Sequence, residues 1–70
     1  MDPNKTLSLL NACLQGEAFI VAEEHAEDLL LWLNRGGFPP SGKILLPEGA
    51  IPASLVSLGN TINSELSGKF

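Results

Sequence analysis

The sequence predicts an all-α fold: an antiparallel helical hairpin, a Gly/Pro-rich connector and a third helix. Apolar residues recur at helical spacing in three stretches, and glycine or proline marks the boundaries of each one. The first two stretches are almost contiguous, which favours a hairpin. With 70 residues, the chain is predicted to form one domain, residues 1–70, near the lower size limit for a self-sufficient core.

The first helix is predicted over residues 3–15. Asp2 can cap the free amide groups, and Pro3 suits the first helical position because it has no amide hydrogen to leave unpaired. Gly16 ends the helix and is expected to adopt the left-handed conformation after it. The apolar stripe of this helix consists of Leu7, Leu10, Cys13 and Leu14.

The second helix is predicted over residues 18–34. Its apolar stripe contains Ala18, Ala22, Ala26, Leu29 and Leu33, and is widened by Ile20, Val21, Leu30 and Trp32. An acidic face is formed by Glu23, Glu24, Glu27 and Asp28. Because the connection to the first helix is so short, the two helices are predicted to be antiparallel.

The stretch WLNRGGFPP, residues 32–40, is interpreted as the end of the second helix. One glycine of Gly36-Gly37 can adopt the left-handed cap while the other lets the chain turn. Phe38 is expected to fold back onto the last turn of the helix, near Leu30 or Leu33. The two prolines that follow stiffen the exit as extended backbone.

The connector, residues 41–50, contains one short apolar run at 44–46 that is compatible with a single strand. A lone strand must pack on the hairpin or pair with another molecule, so a strand, a loop and an exchanged arm all remain open. The third helix is predicted over residues 52–66, with Pro52 near its first position. Its stripe is Leu55, Leu58, Ile62 and Leu66, and Gly59 inside it costs about 1 kcal/mol relative to alanine.

The first 40 residues also carry a resemblance. Asp2-Pro3-Asn4, an acidic amphipathic helix with Leu29-Leu30 and Trp32-Leu33, and the ending Gly36-Gly37-Phe38-Pro39-Pro40 resemble short hypothetical proteins of bacteria and their phages. The resemblance covers about residues 2–40, and the Gly-Gly-Phe-Pro-Pro ending is its most specific part. It implies a helical hairpin as a reusable unit and no particular activity.

The charge of the chain disfavours several classes of partner. The net charge is −4, and the four basic residues are scattered along the sequence. Binding to phosphate backbones or to anionic membranes requires clustered Lys and Arg, so neither nucleic acid nor a membrane is predicted as a partner. The first residues lack the pattern of a signal peptide, and a cytoplasmic bacterial or phage protein is expected.

Few residues could support catalysis or metal binding. The single Cys13 excludes an intrachain disulfide, and one Cys with one His25 cannot complete a structural zinc site. Cys13 is interpreted as a buried hydrophobic residue rather than as a nucleophile beside His25. Glu24, His25 and Asp28 share a face, but a solvated polar surface explains them better than a metal site. We therefore predict a non-enzymatic protein without catalytic residues, cofactor or metal.

Surplus apolar residues predict an interaction surface. Leu31 lies nearly in line with Asp28 and Arg35, on the polar side of the second helix, and Leu9 lies off the stripe of the first helix. The predicted interface residues are Leu31, Trp32, Phe38, Ile44, Leu45 and Leu46, and the predicted function is a self-associating interaction or structural module. The alternative hypothesis is an acidic inhibitor, related to antitoxins or phage-encoded, whose acidic face (Glu23, Glu24, Glu27, Asp28) blocks a basic surface on another protein.

Overall fold

The computed structural model describes residues 1–68 and confirms the all-α fold. It contains three helices: α1 (Pro3–Gln15), α2 (Phe19–Asn34) and α3 (Ala53–Gly68). They begin and end within two residues of the predicted positions. α1 packs against α2, and α2 packs against α3, so α2 is the central helix.

α1 begins with the predicted cap. The Asp2 carboxylate accepts hydrogen bonds from the backbone N–H groups of Asn4 at 3.0 Å and Lys5 at 3.3 Å. Pro3 occupies the first turn and is buried. These bonds satisfy two of the amide groups that the start of a helix leaves without partners, which fixes where the helix begins.

The turn between α1 and α2 is a Schellman motif. The Ala18 N–H donates to the Cys13 carbonyl at 2.9 Å, and the Glu17 N–H donates to the Leu14 carbonyl at 3.3 Å. The left-handed residue is Glu17, with φ of 61°, whereas Gly16 has an ordinary φ of −86°. The expectation that Gly16 adopts the left-handed conformation is therefore wrong by one position, because Gly16 itself is the last residue of the helical turn.

α2 buries a narrower stripe than predicted. Ala22, Ala26, Leu29 and Leu33 are buried, and the two alanines allow close packing of the neighbouring helices. Ile20 and Val21 were expected to widen this stripe, but they are 80% and 44% exposed. Ile20 lies about three turns before Leu31, so helix geometry sets both residues on the outer side of α2.

The end of α2 is a second Schellman motif. The Gly37 N–H donates to the Trp32 carbonyl at 3.0 Å, and the Gly36 N–H donates to the Leu33 carbonyl at 3.1 Å. Gly36 is the left-handed residue, with φ of 84°. Phe38 folds back onto the last turn of α2, as predicted, where its ring meets that of Trp32 with ring centroids 5.5 Å apart and an edge-to-face angle of 86°.

The connector passes between α1 and α3 as extended backbone and forms no strand. Two asparagine side chains replace the missing strand partners. Asn63 of α3 accepts from the Ile44 N–H at 2.8 Å and donates to the Ile44 carbonyl at 3.1 Å. Asn11 of α1 accepts from the Leu45 N–H at 2.9 Å and donates to the Lys43 carbonyl at 3.1 Å. Backbone groups of successive residues in an extended chain point to opposite sides, so each asparagine satisfies one edge of the segment.

The core is completed by this segment. Ile44 is 3% exposed and joins the buried residues of all three helices. Leu46 packs against the core beside Gly59 of α3, where an added Cβ would lie 3.0 Å from the Leu46 Cδ2 atom. Gly59 lowers the helix propensity of α3, but the absence of a side chain allows the connector to pack closely against this helix.

Candidate interaction surface

A groove on the outer side of the α1–α2 hairpin collects the off-stripe residues of both helices. Its volume is about 520 Å³. It is lined by Met1, Thr6, Leu9, His25, Asp28, Leu31 and Arg35. We call it the hairpin groove.

The hairpin groove exposes large apolar side chains. Leu31 is 61% exposed, Met1 54% and Leu9 44%. Leu31 points away from the core because the buried residues Leu29 and Leu33 precede and follow it by two positions, about half a turn away on the helix. Contiguous apolar side chains on a small protein are typical of association sites.

The polar residues of the groove surround Leu31. Asp28 lies one turn before it and Arg35 one turn after it, and both line the same side of α2 as the groove. Both side chains are exposed. Leu31 therefore lies between a negative group, Asp28, on one side and a positive group, Arg35, on the other.

The residues predicted as the interface divide into three groups. Leu31, Phe38 and Leu45 are exposed, at 61%, 59% and 52%. Trp32 is half-buried, and its indole Nε1–H donates to the Phe38 carbonyl at 2.9 Å. Ile44 is in the core and Leu46 is half-buried against it, which differs from the expectation that the whole run 44–46 is surplus surface. These two residues are used within the chain because the connector fills the space between α1 and α3.

The predicted acidic face is exposed in three of its four residues. Glu24, Glu27 and Asp28 are exposed, and Glu23 is half-buried. Asp28 belongs to the hairpin groove together with Arg35, so the acidic face borders a positive charge at the groove.

Cys13 and His25 occupy different surroundings. Cys13 is half-buried and packs against the core, in agreement with its place on the apolar stripe. His25 is half-buried and lines the hairpin groove. Within residues 1–68, no group of three or more His, Cys, Asp and Glu side chains is arranged to hold a metal ion. None of the helices described for this chain combines the length and apolar character needed to cross a membrane.

The sequence places Leu31 in line with Asp28 and Arg35 and places Leu9 off the stripe of α1, but it does not indicate that Met1, Thr6 and His25 line the same surface. The residues of α1 meet those of α2 only when the hairpin brings the two helices side by side. The antiparallel pairing predicted from the short connection could have indicated this groove, because it places the start of α1 beside the end of α2.

Comparison of the chain with protein-family models, curated proteins and solved structures gives no match. The resemblance of residues 2–40 to short bacterial and phage proteins therefore stays a prediction.

Proposed function

We propose that this protein is a small non-enzymatic interaction module that associates with a second copy of itself through the hairpin groove. The observation that supports this proposal is the convergence of three exposed apolar side chains, Met1, Leu9 and Leu31, on one surface. Leu31 is the most exposed of the three and lies at the centre of the proposed contact.

Burial of apolar surface supplies the free energy for this association. Full burial of a leucine side chain contributes about 1.5–3 kcal/mol. Two copies that cover each other's Leu31 and Leu9 would bury what is still exposed of four such side chains, 61% of each Leu31 and 44% of each Leu9, so each contributes about half of that amount. Packing two helical hairpins face to face also produces a four-helix arrangement, a common way for small helical units to complete a core.

The first experiment is light scattering on a size-exclusion column over a wide range of protein concentration, on the native chain and on two variants. We expect the native chain to give a mass of two copies at high concentration. Leu31→Glu is expected to weaken association by at least about tenfold, because it introduces a charge into a contact that excludes water.

Ile20→Glu is the matched control for this experiment. Ile20 is also a large exposed residue on the outer side of α2, at 80% exposure, but it does not line the hairpin groove. We expect this variant to associate as the native chain does. A native chain that stays monomeric at every concentration contradicts the proposal. If both variants lose association equally, the contact between the copies does not lie at the hairpin groove.

The acidic inhibitor is the second candidate, and the exposure of Glu24, Glu27 and Asp28 supports it. Charge reversal at Glu24 and Glu27, which lie outside the hairpin groove, separates the two proposals. An inhibitor would lose a salt-sensitive complex with a basic partner protein, because exposed charges act through screened electrostatics. Leu31→Glu leaves these carboxylates in place, so it is expected to weaken self-association and to leave the complex with a basic partner intact.

A further inference from the structure

We infer that the second copy docks with its own hairpin groove in an antiparallel, two-fold arrangement, with Asp28 of each copy paired with Arg35 of the other. The inference rests on the proposed self-association and specifies its geometry. Leu31 lies at the two-fold axis, where it contacts Leu31 of the second copy. In such an isologous contact every interaction occurs twice, so the surface must be complementary to itself.

The spacing along α2 meets this requirement. The rise of an α-helix is about 1.5 Å per residue, so Asp28 lies about 4.5 Å before Leu31 and Arg35 about 6 Å after it. When two copies of α2 run antiparallel with Leu31 at the centre, the position of Asp28 in one copy faces that of Arg35 in the other within about 1.5 Å along the axis. The length of the arginine side chain covers this difference.

The positions around α2 are also compatible. At about 100° per residue, Asp28 and Arg35 lie on the same side of Leu31, about 60° and 40° away from it. A two-fold axis perpendicular to the plane of the two α2 helices leaves this side on the same face of the dimer in both copies. Asp28 of one copy and Arg35 of the other therefore lie on the same face and can form a pair. The hairpin groove is on this side too, because His25, which also lines it, lies about 120° from Leu31 in the same direction.

The residues of α1 extend the same pattern. α1 runs antiparallel to α2, so Met1 lies towards the Arg35 end of the groove and Leu9 towards the Asp28 end. The two-fold rotation therefore brings Met1 of one copy towards Leu9 of the other. An apolar pair therefore lies beside each charge pair, and the contact covers about two turns at the end of α2 in each copy, residues 28–34.

The distribution of charge favours a second copy over a different protein as the occupant. A groove for a foreign basic or acidic segment would be expected to carry one sign of charge, whereas this groove carries Asp28 about 4.5 Å before Leu31 and Arg35 about 6 Å after it. Two copies each carry a net charge of −4 and repel each other at long range. The paired charges offset this repulsion where the surfaces meet and specify the register of the two helices.

The experiment uses two charge-reversal variants, alone and mixed. Asp28→Lys alone sets two positive groups against each other at both ends of the contact, and Arg35→Glu alone sets two negative groups there. Each variant is expected to associate at least about tenfold more weakly than the native chain in light scattering and sedimentation, because like charges are brought together. An equimolar mixture is expected to restore association to within about threefold, because every charge pair in the mixed dimer is again of opposite sign.

Controls and alternative outcomes separate this inference from the proposed function. Glu48→Lys and Lys43→Glu change the same charges at exposed positions outside the hairpin groove and are expected to associate normally. If Leu31→Glu abolishes association but the mixture restores nothing, self-association stands and the two-fold pairing is wrong. If the native chain never associates, the proposed function fails first. Restoration in the mixture, and in a chain that carries both substitutions, supports the inference.

Discussion

The two connections between helices start with the same backbone motif and then diverge. Residues 16–18 and residues 35–37 both form Schellman hydrogen bonds to the preceding helix. The first connection leads at once into α2, while the second continues for more than a dozen residues before α3. A helix end can therefore be specified by backbone hydrogen bonds alone, whereas the path of a long connector depends on side chains from elsewhere in the fold.

The two Schellman motifs differ in the residue that occupies the left-handed position. In the first connection it is occupied by Glu17, and in the second by Gly36. A residue with a side chain lowers the stability of the fold by about 1 kcal/mol when it adopts the left-handed conformation. Favourable packing elsewhere in the fold offsets this cost. The backbone motif therefore forms with either residue, and the identity of the residue changes its stability rather than its existence.

The second connection is then fixed by packing around Trp32. The indole ring lies against Gly37, donates a hydrogen bond to the Phe38 carbonyl and meets the Phe38 ring edge to face. Pro40 follows and is fully buried. This corner has no counterpart in the first connection, where the residues from Gly16 to Ala18 are all exposed.

The largest effect is expected from Gly37→Ala. An added Cβ would overlap the Trp32 ring atoms, and Gly37 lies outside the left-handed region, so the ring contact is the main obstacle to a side chain. We expect a loss of about 3 kcal/mol in unfolding free energy and a red shift in the fluorescence of the single tryptophan. Chemical denaturation followed by that fluorescence measures both quantities.

A double-mutant cycle tests the cause of this loss. In a Trp32→Leu background, Gly37→Ala is expected to cost less than about 1 kcal/mol, because the ring that it displaces is gone. With Trp32 removed, unfolding is followed by circular dichroism. An equal cost in both backgrounds would show that the Gly37 backbone, and not the indole contact, requires glycine.

The two asparagines that hold the connector should differ in their contributions. Both hydrogen bonds of Asn63 to Ile44 are partly buried, whereas those of Asn11 to Lys43 and Leu45 are exposed. Asn63→Ala is expected to cost about 2 kcal/mol, because it leaves partly buried backbone groups unpaired, and Asn11→Ala about 1 kcal/mol, because water replaces the lost partner.

Hydrogen exchange provides the site-specific measurement for this pair. Asn63→Ala should accelerate exchange of the Ile44 amide, and Asn11→Ala that of the Leu45 amide. If both variants leave these two amides as protected as in the native chain, the asparagines do not hold the segment.

The smallest effects are expected at the two left-handed positions. Gly36→Ala should lower the unfolding free energy by about 1 kcal/mol, because alanine is strained at φ of 84°. Glu17→Gly should raise it by about 0.5 kcal/mol, because relief of the strain is partly offset by the greater freedom of glycine in the unfolded chain. Thermal denaturation of both variants measures the differences.

Gly16→Ala is the control that distinguishes the two adjacent positions. Gly16 has an ordinary helical φ, and an added Cβ would meet only the Ala12 carbonyl oxygen, at 3.5 Å, and the Cys13 carbonyl oxygen, at 4.0 Å. We expect this substitution to be neutral or slightly stabilising. A loss of about 1 kcal/mol would instead place the left-handed residue at Gly16, as the sequence first suggested.

Local signals predicted most of the helical framework. Asp2-Pro3, the paired glycines after Asn34 and the apolar periodicity of each stretch predicted the helix bounds to within two residues. Leu31 was predicted to be exposed from its spacing alone, and the structure agrees. These features depend on neighbours within one or two turns, which a sequence displays directly.

The expectations that fail have two kinds of cause. Ile44 is predicted at the surface, but Asn63, 19 residues further along the chain, and the space between α1 and α3 draw it into the core. That contact leaves no periodic pattern in the sequence. The other differences are local: the left-handed residue is Glu17 instead of its neighbour Gly16, and Ile20 and Val21 lie beside the buried stripe of α2 instead of within it.

Three helices, the cap at Asp2, the helix end at Gly36-Gly37 and the side of α2 on which Leu31 lies can all be read from the sequence. Helix periodicity and capping act over a few residues, so composition and spacing are sufficient to specify them. Only the tertiary structure decided that Asn11 and Asn63 enclose the connector, and that Met1, Leu9 and Leu31 share one groove. Those arrangements arise from packing between elements that are far apart along the chain, where shape and hydrogen bonding, rather than local propensity, select the partner.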